Sequence, residues 1–146
     1  MGKVPWLVSI AAVLMIAACA APPESSPELQ VESESQGLLP REAVTSAPPP
    51  PRAGDPTLPF PLAGWLESGR KFAIVIGGSS SCPAYPSSLE VVDKHRMTIG
   101  IGTRGGPVCT SDWVGRTYVI RTPEGIDPTD EVTVQYGDTV VRLPAL

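Results

Sequence analysis

From Leu62 onward, apolar and polar positions alternate with a period of two, and no twelve-residue amphipathic helical pattern arises anywhere in that span. In 70–76, Phe72, Ile74 and Ile76 alternate with Lys71, Ala73 and Val75. One side is wholly apolar and the other mostly so, which predicts a central strand. Gly77-Gly78-Ser79-Ser80-Ser81-Cys82-Pro83 then breaks it with turn chemistry. Extended structure resumes over 88–92 and, after a turn at Asp93-Lys94, over 95–101, where Met97, Ile99 and Ile101 share a face. A second irregular loop at 102–107 delivers Cys109, and a strand over 117–121 is stopped by Thr122-Pro123-Glu124-Gly125. The last pair is the cleanest: Val132, Val134 and Tyr136 alternate with Glu131, Thr133 and Gln135, and Gly137-Asp138 leads into 139–142 through a two-residue loop of type II′ preference. Gly64-Trp65-Leu66 supplies the first large apolar anchor. Together these segments predict an all-β domain over 62–146, a small antiparallel β-sandwich of six or seven strands, or alternatively a small barrel.

The first 18 residues follow another rule. Lys3 precedes an apolar run from Trp6 to Ala18, which closes in Ile16-Ala17-Ala18-Cys19. This tetrapeptide resembles the lipobox of bacterial lipoprotein precursors. The resemblance implies a signal peptide over 1–18, cleavage before Cys19, acylation (palmitate included) of that cysteine, and residence on the extracytoplasmic face of the bacterial membrane. An apolar run of about 13 to 16 residues is also shorter than the roughly 20 a spanning helix needs. One acyl chain binds a bilayer reversibly, whereas the two or more carried by lipoproteins anchor stably. Residues 19–61 then form a Pro-, Ser- and Glu-rich stretch, predicted to be a disordered tether of polyproline II character that holds the domain off the membrane.

Charge narrows the partners. The net charge of -4 is uneven: 20–61 holds six acids against two bases, whereas 62–146 holds nine against eight. A nearly neutral domain lacks the basic face that nucleic acid requires, and none is expected as a partner. A domain of about 85 residues buries only about 60 to 65 % of its unfolded surface, so a covalent staple is expected. Two of the three cysteines, Cys82 and Cys109, lie in it, and in an oxidising compartment an even pair reads as a disulfide.

Catalytic patterns are incomplete. Cys82 with His95 as base would form a thiol site, but a disulfide-bonded sulfur cannot attack. Ser79-Ser80-Ser81 follows Gly78, yet the second glycine of a nucleophile elbow is missing and Pro83 replaces the helix. Gly100-Ile101-Gly102-Thr103-Arg104-Gly105 matches the dinucleotide fingerprint formally, but no helix can follow through Gly106-Pro107. His95 is the only histidine and has no ligand-spaced neighbours, so neither metal nor cofactor is expected. The residues of interest for binding are Trp65, Tyr85 and Trp113, for stacking on a sugar or a protein partner, and Arg104, for an anion.

Ser79-Ser80-Ser81-Cys82-Pro83 with the later Cys109-Thr110-Ser111-Asp112 is similar to a pattern in small lipoproteins and secreted proteins of high-GC Gram-positive bacteria, a group without an assigned activity. That resemblance implies a cell-envelope β domain and no chemistry. The expected function is therefore a lipid-anchored, non-enzymatic binding or accessory module with an envelope protein or glycan partner. The alternative is an envelope enzyme using Cys82/His95 or the Ser79–Ser81 loop.

Overall fold

The computed structural model describes Gly2, residues 27–46 and residues 62–146. Apart from Gly2, the expected signal peptide, together with Cys19 and the proline run at 47–61, lies outside the described residues. Eight strands are formed: β1 Val31–Gln36, β2 Ala63–Leu66, β3 Lys71–Gly78, β4 Ala84–Asp93, β5 Arg96–Thr103, β6 Val114–Arg121, β7 Val132–Tyr136 and β8 Thr139–Leu143. They make two four-stranded sheets, ordered β1-β6-β3-β2 and β4-β5-β7-β8, packed face to face. The expected small all-β sandwich is the fold.

Alternation explains the core. Phe72, Ile74 and Ile76 of β3 face Met97 and Ile99 of β5 and Val132, Val134 and Tyr136 of β7 across the interior. Opposite residues in a ladder share a face, so Tyr118 and Ile120 of β6, paired with Ile74 and Phe72, join them. Trp65 is 1 % exposed, sits edge-on to Phe72, and donates from Nε1 to the Pro144 carbonyl at 2.7 Å. It is a core plug, not a binding residue. Its indole finds burial and a hydrogen-bond partner together, which leaves nothing for a ligand.

The sheets are also joined by Tyr136, whose hydroxyl donates to the Val75 carbonyl at 3.1 Å in a buried site. Burial pushes the phenol above its ordinary range. Tyr136→Phe is expected to cost about 1 to 1.5 kcal/mol in urea unfolding, because an acceptor is left without this donor; an unchanged midpoint would refute that role.

One pairing departs from the antiparallel expectation: β5 and β7 are parallel. The chain leaves β5, crosses to the other sheet to make β6, and returns beside β5 as β7. That detour supplies the long crossover a parallel neighbour needs. The β7–β8 turn is as predicted, with Gly137 at φ 52.

The larger correction concerns the tether. Residues 31–36 are an edge strand of the first sheet, antiparallel to β6. Every residue of β1 is exposed, so apolar burial did not mark it. Its partners are charges. Glu32 lies 2.6 Å from Lys71 and 3.0 Å from Arg121, and Glu34 lies 3.0 Å from Arg116 and 3.1 Å from Arg104. Two residues apart on a regular strand they would share a face. A bulge between Val31 and Ser33 breaks that rule, so that Glu32 meets the outward pair Lys71 and Arg121 while Glu34 stays with Tyr118 on the inner side.

The chain after β1 is ordered too. Gly37 donates to the Gly115 carbonyl, and Val44 pairs with Trp65 beyond β2. Residues 37–46 therefore lead from one edge of the sheet to the other, with Pro40 and Glu42 beside Val119 and Lys71. Ala73, Val75 and Thr117 on this second face are buried.

Candidate functional site

β3 and β6 end together at the pairs Gly77↔Gly115 and Gly78↔Val114. Beyond them the two irregular loops, 79–83 and 104–113, meet. Cys82 and Cys109 are disulfide-bonded across them, with Cα atoms 5.4 Å apart. The expected staple is present, and Cys82 is buried while Cys109 is exposed.

A polar network reinforces it. The Thr110 hydroxyl lies 2.7 Å from that of Ser79 and 3.2 Å from those of Ser80 and Ser81. The Thr110 amide donates to Ser81 Oγ at 2.9 Å, and the Ser80 amide to Asp112 Oδ1 at 3.1 Å. Thr110 also donates to the Asp112 carboxylate. The Ser80 hydroxyl, the Thr110 hydroxyl and the Ser80 amide, in that order, hold the Asp112 carboxyl far below the usual carboxylate range. A carboxylate so well solvated by donors is a poor proton acceptor. Its role is to order the two loops.

The candidate catalytic groups do not assemble. Cys82 is oxidised at one end of β4. His95 follows the other end of that ten-residue strand, roughly 30 Å away at about 3.3 Å per residue, and its Nε2 lies 3.0 Å from Asp130. The serine loop adjoins Asp112 rather than a histidine. Among the described residues no group of three or more His, Cys, Asp and Glu side chains is placed to hold a metal.

Nor does the formal dinucleotide fingerprint serve a phosphate. A Cβ at Gly100 would run into Ser88, and one at Gly102 would lie 2.7 Å from the Tyr85 ring, so both glycines admit side chains of β4 lying across β5. Gly105, at φ 126, brings its backbone against Ser81 and the Cys82 sulfur. Arg104 is already engaged: its guanidinium lies 4.4 Å from the Tyr85 ring centre and bonds Glu34. The proposed anion grip and the Tyr85 stacking surface thus satisfy each other.

Trp113 is 54 % exposed, and its indole lies against the paired glycines Gly77 and Gly115, where a Cβ on Gly77 would come within 2.0 Å of Nε1. The sequence contained this signal, a tryptophan beside a loop and two strand glycines, but only the register shows that the glycines are opposite each other.

The far end of the sandwich carries an open cleft of about 700 Å³ beside Glu67 and Ser68, both with positive φ. Its Lys71 is held between Glu32 at 2.6 Å and Glu67 at 2.5 Å, and Arg121 is bound to Glu32. These cations are satisfied internally. Comparison of the chain with protein-family models, curated proteins and solved structures yields no match.

Proposed function

We propose that this chain is a membrane-anchored cell-envelope lipoprotein whose sandwich is a non-enzymatic binding or accessory module, with the disulfide-joined loop end as its contact face. The lipobox residues Ile16-Ala17-Ala18-Cys19 support the anchor. The observation carrying the module reading is the construction of that end. A disulfide and a hydroxyl–carboxylate network fix two loops, while Val108 and Trp113 stand 82 % and 54 % exposed above them. Rigid loops presenting apolar side chains suit recognition, since little conformational freedom is lost on contact.

Two measurements test this reading. The intact mass of the chain from its own membrane should correspond to acylated Cys19 as the first residue, in a fraction released by detergent but not by salt. A non-acylated or soluble mature chain would refute the anchor. A diazirine side chain placed at Val108 should give a discrete cross-linked product in cells, whereas one at Val92, also exposed but near the opposite end of β4, should not. Equal products from both positions would refute the contact face.

A further inference from the structure

β1 is held to the sandwich almost entirely by backbone bonds and charge. No residue of the strand is buried, and Leu29 just before it packs only partly against the core. Its ladder to β6 is continued by the Gly37 amide, which donates to the Gly115 carbonyl at 2.9 Å. Glu32 lies between Lys71 and Arg121, and Glu34 between Arg104 and Arg116. A second copy of the chain offers these same partners in the same places. The connection is also long: fifteen residues, 47–61, join the segment 27–46 to the rest of the domain. Fully extended, that many residues span about 50 Å.

The seat of β1 is selective. Without its partner, the β6 edge would present unpaired backbone groups, which form a template for another strand. Beside them stand four cations, Lys71 and Arg121 on the outward face and Arg104 and Arg116 toward the inner one. A second β6 edge would bring four cations of its own, and like charges set against each other oppose pairing. An acidic strand is admitted instead. Register narrows the choice further, because the bulge between Val31 and Ser33 turns Glu32 outward and leaves Glu34 on the inner side. A regular acidic strand with the same spacing would place both carboxylates on one face and leave one pair of cations unmet. The β1 of a second copy carries both the charges and the bulge.

We propose that two copies of this chain exchange residues 27–46, each β1 seating on the β6 edge of the other copy to form a closed, symmetric dimer. Exchange of an identical element costs little, since monomer and dimer hold the same contacts. The density of chains decides between them. A strand tethered to its own acceptor acts at an effective concentration of roughly millimolar, so the dimer gains as chains crowd onto one surface. Neither Val108 nor Trp113 enters this pairing, which makes it independent of the contact face at the loop end.

Register supplies the test, since Ser33 lies opposite Val119. Detergent-solubilised chains carrying Ser33→Cys are mixed with chains carrying Val119→Cys. The mixture is opened by a pulse at about pH 4 and about 1 M salt, which weakens the ion pairs, then returned to neutral pH at high chain concentration and mildly oxidised. A link between copies is expected about tenfold or more above that from Ser33→Cys chains mixed with Glu90→Cys chains, whose cysteine stands on an exposed position of β4. Charge provides a second arm. A Glu32→Arg chain repels its own β1, and so does a chain carrying Lys71→Gln with Arg121→Glu, yet each presents the strand that the other accepts. Mixed, they should form a one-to-one dimer by native mass that neither forms alone, and amide protection in β3 and β5 shows that both variants are folded. Folded charge variants that stay monomeric when mixed overturn the proposal, and so does a Ser33–Val119 link no stronger than the control.

Discussion

Cys82→Ser combined with Cys109→Ser is expected to destabilise the domain by about 3.5 kcal/mol, because the disulfide closes a loop across 27 positions and removes that much chain entropy from the unfolded ensemble. For a small domain this is a large part of the whole stability, and it corresponds to a fall in melting temperature of roughly 15 to 25 °C. The prediction is specific about mechanism. The loss should appear as a lower urea midpoint, with the folded strands intact by amide exchange. The hydroxyls of Ser79, Ser81 and Thr110 still hold the loops locally, but they cannot replace a constraint that acts on the unfolded chain. Serine variants within about 1 kcal/mol of the parent would show that the unfolded chain already keeps these loops together. Trp113 gives a second readout. Its seat is the β3–β6 ladder rather than the disulfide, so its emission should stay close to the parent's below the unfolding transition.

The parts of this fold legible in the sequence are those written in apolar alternation. β3, β5 and β7 were visible because Phe72, Ile74, Ile76, Met97, Ile99, Val132 and Val134 mark every second position and all of them are buried, and β8 because Gly137-Asp138 marks a hairpin turn before it. β1 was invisible for the same reason. Val31-Glu32-Ser33-Glu34-Ser35-Gln36 is polar after Val31, and the partners of its two glutamates, Lys71, Arg104, Arg116 and Arg121, lie 39 to 89 positions away in sequence. A composition argument therefore assigned it to a tether. The parallel β5–β7 pair was hidden because strand order depends on which sheet β6 joins, and local pattern is silent about that. At the loop end the disulfide was readable from cysteine arithmetic. The difference between Trp65 and Trp113 was not, since each tryptophan sits beside a glycine and only register decides which one is enclosed.

The same register gives β1 its own testable weakness. With every residue exposed, the strand is seated by its ladder to β6 and by four ion pairs, helped by partly buried Leu29 just before it. Exposed pairs are individually weak, but reversing both Glu32 and Glu34 to lysine removes all four at once and sets like charges against Lys71, Arg121, Arg104 and Arg116. The expected result is selective. Cleavage by protease within 27–46 should accelerate about tenfold or more as the open population rises, while amide protection in β3 and β5 persists. Acid should act in the same direction. Hydrogen bonds from Lys71 and then Arg121 hold the Glu32 carboxyl below its ordinary 4.5. A depressed folded value means that its stabilisation is complete above the unfolded value and is lost as pH falls through the folded one. Protease susceptibility should therefore be flat from neutral pH down to about 5, rise below that, and rise also with salt through screening. Unchanged cleavage in the reversed variant, together with acid-insensitive protection, would mean that the backbone ladder alone seats the strand and that the charges merely line it.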